Sequence, residues 1–260
     1  MIKKTILVAC TGLLLMSCNK PKEVTALKTD DEKAAYAIGL SLAQNFKPQG
    51  FDKDLDLNIV MQAMKDKFEN KTLLFPEDSV QSFMTAYVPK HLEKVAKRNG
   101  EESKKFLEDN KKKDGIKVTA SGLQYKVEKE GTGAKPTDED LVSVNYVLKT
   151  IDGSVIEDSK KATGNKPADI PLARVVPGWK EGVKLMSKGA KYNLYIPAEL
   201  AYGENGPAGP NQALIFEVEL VDFKPMPKEE AQPQGGQQIT PEQLQQMQQQ
   251  MQAQQQAAGK

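Results

Sequence analysis

The spacing of apolar residues changes at Gly115, and this change constrains the fold more than any other feature of the chain. Before Gly115, apolar side chains recur at steps of three and four residues, as they do on one face of an amphipathic helix. After it they alternate with polar residues, as they do in a half-buried β-strand. The pattern predicts an α+β chain, with a helical region first and an antiparallel sheet second.

Two short helices are predicted first. One runs from Asp30 until Pro48 and Gly50 end it, and the other is capped by Asn58 or Asp56. The apolar stripes of the two helices are Ala35, Ile38, Gly39, Leu42 and Phe46, then Ile59, Val60, Ala63, Met64 and Phe68.

A third, long helix is predicted from Pro76 towards Gly115, with a break in its pattern only at Asn99-Gly100. Unbroken, it would be roughly 55 Å long. Its stripe could pack on the first two helices, or it could form a seam with a second copy of the chain, which the helix length favours. His91 lies at the edge of the stripe and is interpreted as a packing residue. The stripe is Val80, Phe83, Met84, Tyr87, Val88, His91, Leu92 and Val95.

The β-region contains four alternating runs and one short helix. Asp152-Gly153 has the composition of a hairpin turn. The short helix follows Pro177-Gly178 and would cover one face of the sheet. The alternating residues are Leu123, Tyr125 and Val127; Val142, Val144, Tyr146 and Leu148; Tyr192, Leu194 and Ile196; and Leu214, Phe216, Val218 and Leu220.

Composition narrows the possible chemistry. The chain has 36 basic and 35 acidic residues and a net charge of +1, so no basic field for nucleic acid is expected. It has one histidine, and its two cysteines lie in the first eighteen residues. A Ser-His-Asp or Cys-His site is therefore close to excluded, and neither a metal nor another cofactor is expected.

The first residues form a secretory signal. Lys3 and Lys4 precede a short apolar run, and 15–18 (Leu-Met-Ser-Cys) resembles the bacterial lipobox. Lipid on Cys18 would anchor the chain in the cell envelope. The expected site is the outer membrane, with the protein facing the periplasm. Cleavage at Cys10 instead would leave almost no apolar run before the cysteine. The alternative to lipidation is an ordinary signal peptide in which the cysteine occurs by chance.

Several motifs of the β-region occur in the order found in the FKBP family, which the stretch from about 118 to 223 resembles. The chain also resembles the Mip/FkpA branch of bacterial envelope proteins, both in its three predicted helices and in residues 110–113 and 120–125. The motifs are 144–146 (Val-Asn-Tyr), 152–153 (Asp-Gly), 175–183 (Val-Val-Pro-Gly-Trp-Lys-Glu-Gly-Val), 186–189 (Met-Ser-Lys-Gly), 195–203 (Tyr-Ile-Pro-Ala-Glu-Leu-Ala-Tyr-Gly) and 214–220 (Leu-Ile-Phe-Glu-Val-Glu-Leu).

The resemblance implies an apolar pocket for a prolyl peptide. Trp179 would form the floor, and Tyr202 would offer its hydroxyl to the substrate carbonyl. The walls would be Tyr146, Val175, Val176 and Phe216.

The chain departs from the family pattern around this pocket. Ile156-Glu157 stands where Phe-Asp is usual, so Glu157 keeps a carboxylate on a longer stem. Ala168 replaces a second wall phenylalanine. The loop 204–212 is short, with Ala208 where an isoleucine often stands. These changes would widen the mouth of the pocket.

The function implied by the resemblance is peptidyl-prolyl cis/trans isomerisation of unfolded or partly folded envelope proteins, by a homodimer joined through its helical arm. A tacrolimus- or rapamycin-class macrolide is a possible ligand. The alternatives are a chaperone-like binding module with little isomerase activity and an adhesive or structural lipoprotein.

The expected domain boundaries follow from these patterns. The glutamine-rich tail has too few apolar residues to pack. The domains are a signal peptide (1–17), a tether (18–29), a helical arm (30–115), an isomerase domain (116–224) and the tail (225–260).

Overall fold

The structure is a computed structural model that describes residues 24–226. The predicted signal sequence, Cys10, Cys18 and most of the glutamine-rich tail lie outside these residues. Contacts within the chain define two compact units. In the described part, the helical unit comprises 24–101 together with 204–212, and the β-unit comprises 102–203 together with 213–226.

The helical unit contains the three predicted helices and one very short helix that the apolar spacing did not reveal. Thr29 caps the first helix in a reciprocal capping box with Glu32. Asp56 caps the third by accepting a hydrogen bond from the backbone N–H of Asn58 at 2.8 Å. The helices are α1 (Asp30–Phe46), α2 (Phe51–Asp54), α3 (Leu57–Phe68) and α4 (Val80–Asn110), the last following a 3-10 turn (Glu77–Ser79).

Helix α4 runs without interruption through Asn99-Gly100, so the break in the residue pattern there does not break the helix. A single glycine costs a helix only about 1 kcal/mol, which packing can offset. Pro89 also lies inside this helix. Its 31 residues give a length of roughly 46 Å. The part up to Glu101 belongs to the helical unit, and the part from Glu102 belongs to the β-unit.

The apolar stripe of α4 is divided between a buried half and an exposed half. His91 and Val95 are buried. Val80, Phe83 and Met84 are 46%, 50% and 38% exposed. A single chain therefore covers only the C-terminal half of the stripe. Large apolar side chains on α1 and α3 are exposed as well, namely Tyr36, Ile38, Leu40, Leu42, Leu57, Ile59, Met61 and Phe68.

His91 packs inside the helical unit, as predicted. Its ring stacks on Phe51, with 4.2 Å between ring centroids. Its Nε2 donates a hydrogen bond to the backbone carbonyl of Gln49 at 2.8 Å. The imidazole therefore joins α4 to the turn between α1 and α2.

The β-unit is one antiparallel sheet of seven strands with two short helices. Along the sheet the order is β1-β2-β6-β7-β3-β4, and β5 pairs with β3 beside β4. The elements are β1 (Ile116–Val118), β2 (Gln124–Lys129), β3 (Asp140–Thr150), β4 (Val155–Asp158), α5 (Ser159–Thr163), β5 (Ala168–Pro171), α6 (Pro177–Lys184), β6 (Lys191–Ile196) and β7 (Leu214–Pro225).

The core of the β-unit lies between the sheet and α6. Gly182 allows a close approach, because a Cβ at this position would lie 2.5 Å from a methyl group of Leu194 on β6. Asp152-Gly153 forms the predicted turn between β3 and β4, with Gly153 at φ +84°. The predicted α+β architecture, with an antiparallel sheet and a short covering helix, is confirmed.

Within residues 24–226, no helix is long and apolar enough to cross a membrane.

Candidate functional site

Three aromatic rings from three different elements meet in the β-unit. The Tyr146 ring lies 6.5 Å from that of Trp179, edge to face, and 6.2 Å from that of Phe216. Trp179 is 3% exposed and Phe216 is 5% exposed. The predicted floor and two of the predicted walls are therefore neighbours, and we call these three residues the ring cluster.

The sheet and α6 hold the ring cluster in place. Tyr146 on β3 lies opposite Val218 on β7, and Phe216 lies two positions along β7 from Val218. Pro177 begins α6, where its fixed φ suits the first helical turn. Trp179 is therefore carried on the first turn of the helix.

Glu157 joins the ring cluster through a hydrogen bond. The Tyr146 hydroxyl donates to its Oε1 at 2.7 Å. Strand β4 brings Glu157 opposite Leu148 on β3. The end of β4 is held by Ser159, whose hydroxyl accepts from the Tyr146 backbone N–H at 2.8 Å, and by Asp158, which caps α5.

Tyr202 offers a phenol with no internal partner. Its side chain is 43% exposed, and its hydroxyl makes no hydrogen bond to any residue between 24 and 226. Burial raises the pKa of Tyr202, and the carboxylate of Glu157 raises it further.

The phenol of Tyr146 is also held in its neutral form. Burial raises its pKa above the ordinary value, and the hydrogen bond to Glu157 adds to the shift. Tyr146 and Tyr202 are therefore both O–H donors at neutral pH. Of these two hydroxyls, that of Tyr146 is engaged by Glu157, and that of Tyr202 has no hydrogen-bond partner among residues 24–226.

The remaining predicted contact residues occupy varied positions. Val175 and Val176 are half-buried just before α6, and Ala168 is half-buried on β5. Ile156 is 37% exposed on β4. Ala208 is 5% exposed and falls in segment 204–212 of the helical unit, which leaves it little surface for a ligand. Their roles at the pocket stay predictions.

A separate depression of about 330 Å³ lies on the sheet. Tyr146 borders both this depression and the ring cluster, but Trp179, Tyr202 and Phe216 do not line the depression. Lysine and glutamate side chains stand around it, and Lys191 pairs with Glu219 there at 3.2 Å. Because three of the four aromatic residues of the predicted pocket are absent from its lining, this depression is not the candidate site.

Asp158 and Ser159 fix the position of Glu157, yet the sequence analysis did not single them out. A signal for them was present, because an aspartate directly before a short polar helical run is a typical N-cap. The pairing of Tyr146 with Glu157 had no such signal, since it depends on the register of β3 with β4.

In residues 24–226, no group of three or more histidine, cysteine, aspartate or glutamate side chains could hold a metal ion. The site offers ring faces and phenol donors.

Two family profiles match the chain. FKBP-type peptidyl-prolyl cis-trans isomerase matches residues 132–221. The domain amino terminal to FKBP-type peptidyl-prolyl isomerase matches residues 31–127.

Individual proteins are similar over most of the chain. Outer membrane protein MIP of Legionella longbeachae is 37% identical over 234 residues, covering 85% of this chain and 97% of that protein. FKBP-type peptidyl-prolyl cis-trans isomerase FkpA of Escherichia coli K12 is 36% identical over 222 residues, covering 80% and 82%. The crystal structure of FkpA from Escherichia coli matches with a TM-score of 0.52 at 35% identity, covering 78% of this chain and 100% of that one.

Proposed function

The chain belongs to the FKBP-type peptidyl-prolyl cis-trans isomerases, and we propose that its ring cluster and Tyr202 form the site that turns the X-Pro bond. The observation that carries this assignment is the set of three packed rings beside a phenol whose hydroxyl has no partner among residues 24–226.

Rotation about an X-Pro bond needs neither an acid, a base nor a metal. The barrier is about 18–20 kcal/mol because amide resonance must be broken, and no covalent bond is made or cleaved. A site catalyses this rotation by binding the twisted amide more tightly than either planar isomer. An apolar environment helps, since the charge-separated resonance form of the planar amide is disfavoured there.

Each residue has a part in this scheme. The face of Trp179 receives the flat proline ring, with Tyr146 and Phe216 as walls. The Tyr202 hydroxyl donates a hydrogen bond to the substrate carbonyl and holds it as the amide twists. Glu157 keeps the Tyr146 phenol fixed by accepting a hydrogen bond from its hydroxyl. Val175 and Val176 complete the apolar wall.

The mouth of this pocket is wider than is usual in the family. Ile156 and Ala168 are smaller than the aromatic rings that family members usually carry there. Large macrolides of the tacrolimus or rapamycin class bind this site with reduced affinity, because less of their surface is buried. A short prolyl peptide depends less on the rim.

The functional protein is a homodimer joined through the helical unit. Its support is the set of large apolar side chains exposed on α1, α3 and the first turns of α4, including Phe68 at 76% and Ile59 at 68%. Such a surface is typical of an interface between proteins. A second copy can cover it with the same apolar faces, as isologous dimers do.

The protein acts in the cell envelope, anchored by lipid on Cys18 at the outer membrane and facing the periplasm. The support is the lipobox-like sequence that ends at Cys18 and the similarity to an outer membrane protein of Legionella longbeachae. Its substrates are proline-containing envelope proteins that are unfolded or partly folded.

The second candidate is a binding module that holds unfolded chains without isomerising their X-Pro bonds. The exposed apolar faces of α1 and α3 favour it, since they could hold apolar segments of a client. The two activities differ in stoichiometry. One isomerase molecule acts on many substrate molecules in succession, whereas a binding module must be present at about the same concentration as its client.

A refolding assay separates the two candidates. The substrate is a protein whose slow refolding phase is limited by an X-Pro bond, a process of tens of seconds. At about one enzyme to a hundred substrates, an isomerase accelerates the slow phase. A protein that acts only near equal concentrations, by preventing aggregation without changing the slow rate, is a binding module and refutes the isomerase assignment.

A further inference from the structure

Strand β3 has a gap in its hydrogen-bonded pairing on the side away from β7. On that side β5 pairs with residues 141–144 and β4 pairs with residues 147–149. Residues 145 and 146 lie between these two pairings, so neither strand continues the ladder beside them. Backbone groups in such a place need other hydrogen-bond partners. We call this position the ladder gap.

The hydroxyl of Ser159 fills the ladder gap. It accepts a hydrogen bond from the backbone N–H of Tyr146 at 2.8 Å, and Ser159 is 1% exposed. Strand β4 ends at Asp158, directly before this serine, and the chain then enters α5. The serine side chain therefore supplies the acceptor that a longer β4 would have supplied from its backbone. If the hydroxyl were lost, the N–H could not easily find another acceptor.

The short helix α5 holds Ser159 in this position. Asp158 caps the helix by accepting a hydrogen bond from the backbone N–H of Lys160 at 3.1 Å. The hydroxyl of Thr163 donates to the backbone carbonyl of Ser159 at 2.8 Å. Gly164 ends the helix in the left-handed conformation, at φ +64°. Ser159 therefore belongs to a closed turn in which its backbone and its side chain are both engaged.

Tyr146 is thus held at two points by one short segment of chain. Ser159 fixes its backbone N–H, and Glu157 accepts the hydrogen bond from its phenol at 2.7 Å. Between these two points lies the ring that meets Trp179 edge to face, 6.5 Å away. A shift of the Tyr146 backbone would therefore move this ring relative to Trp179.

We propose that Ser159 is a positioning residue for prolyl isomerisation, which acts by holding the Tyr146 backbone and so placing the Tyr146 ring against Trp179. This inference rests on the proposed function, and all of its contacts lie within the β-unit. A wall contacts the proline ring in the planar and in the twisted amide alike. Its displacement should therefore weaken substrate binding more than it slows turnover.

The first test replaces Ser159 in the full-length protein. Ser159→Ala removes the acceptor with little change in volume. It should raise KM for a Leu-Pro peptide about two- to tenfold and leave kcat within about twofold, as expected for loss of one hydrogen bond. Ser159→Thr keeps the hydroxyl and should retain most of the parent's affinity.

Ser143→Ala is the matched control for this test. Ser143 also lies on β3, and its hydroxyl donates to Asp169 on β5. The control thus removes a serine hydroxyl that joins β3 to the neighbouring chain, without touching the acceptor of the Tyr146 N–H. Its KM should equal that of the parent protein.

A double-mutant cycle shows whether Ser159 acts through the tyrosine ring. Tyr146→Ala removes the ring that Ser159 is proposed to place. In that background Ser159→Ala should not raise KM further, because the wall to be positioned is gone. Two losses that simply add would overturn the proposal, since Ser159 would then act on the site by another route.

NMR of the folded protein reports on the same contacts directly. We expect the Tyr146 amide to exchange faster in Ser159→Ala than in the parent and in Ser143→Ala. The indole resonance of Trp179, the single tryptophan of the chain, should move in Ser159→Ala alone. Unchanged exchange, an unmoved indole resonance, or an unchanged KM despite faster exchange would each overturn the proposal.

Failure of the proposed function would look different. A parent protein that binds a proline peptide without isomerising it would refute that function alone. The role of Ser159 would then be decided by peptide affinity, measured by NMR titration. Ser159→Ala should lower this affinity, and an unchanged affinity would overturn the positioning role. A parent that neither isomerises nor binds the peptide would refute both.

Discussion

The hydroxyl of Tyr146 donates a hydrogen bond to Oε1 of Glu157 at 2.7 Å, which links the ring cluster to the strand at its edge. Glu157 stands where an aspartate is usual in the family, and its longer side chain still reaches the phenol. The hydrogen bond therefore holds the Tyr146 phenol against β4.

The first prediction concerns this pair. Glu157→Gln keeps an amide oxygen as an acceptor, whereas Glu157→Ala removes the acceptor altogether. We expect Glu157→Ala to lower kcat/KM about two- to tenfold and Glu157→Gln to lower it less, because one hydrogen bond contributes about 0.5–1.5 kcal/mol. Steady-state kinetics on a Leu-Pro peptide check this, and equal losses in the two variants would contradict the orienting role.

The second prediction concerns pH. Burial raises the pKa of both Tyr146 and Tyr202 above the ordinary tyrosine value of about 10. Both phenols thus stay protonated below that value in the folded protein, and their contribution to stability declines only as pH rises above about 10. We expect kcat/KM to be constant between about pH 6 and 9. A fall in kcat/KM within that range that disappears in the Tyr202→Phe variant would mean that Tyr202 ionises there. That result would contradict its role as a neutral hydrogen-bond donor.

The third prediction concerns the mouth of the pocket. Ala168→Phe should strengthen binding of a rapamycin-class macrolide about tenfold, because roughly 60 Å² of added contact at about 25 cal/mol per Å² is about 1.5 kcal/mol. Ala134→Phe, at an exposed loop position, is the control. Isothermal titration measures the affinity. A parent protein that binds the macrolide as tightly as typical family members would show that the mouth is not widened.

The fourth prediction concerns the dimer. Residues 19–260 should sediment at twice the mass of one chain, and 116–224 alone should be monomeric. Phe68→Glu combined with Phe83→Glu should give monomers by placing charges on the exposed apolar faces. Val118→Glu on β1, where the valine is 52% exposed and so close to the 50% of Phe83, should leave the dimer intact. A monomeric parent at micromolar concentration would refute the shared interface.

The fifth prediction concerns the anchor. Cys18→Ser should release the protein from the membrane fraction, whereas Cys10→Ser should leave it there, because only Cys18 follows an apolar run of adequate length. Fractionation followed by immunoblotting decides between them. If the Cys18 variant still sediments with membranes, the protein is held there by something other than this lipid.

Periodicity and family motifs predicted much of the fold and the ring cluster. The change of period at Gly115 gave the helical and β-regions, and Trp179 and Phe216 lie beside Tyr146 as expected. The burial of Ala208 could not be read from the sequence. It depends on contacts between residues far apart in the chain, and a loop of glycine and proline carries no periodic signal for them.

The division of the α4 stripe was likewise beyond the sequence. Phe83 and Val95 belong to the same predicted apolar stripe, yet the first is 50% exposed and the second is 1% exposed. The difference arises because the turn containing Gly50 packs against Val95, where a Cβ on Gly50 would overlap its methyl groups. Spacing shows which face is apolar but not what covers it.

Exchange between the cis and trans forms of a Leu-Pro peptide, measured by NMR with catalytic amounts of the protein, tests the central claim most directly. The parent and a Tyr125→Phe control on β2 should accelerate the exchange. Tyr202→Phe should reduce kcat/KM about 5- to 30-fold while the folded structure is retained, as expected for loss of about 1–2 kcal/mol of transition-state stabilisation. A parent protein that leaves the exchange rate unchanged, or a Tyr202→Phe variant as active as the parent, would contradict the assigned site.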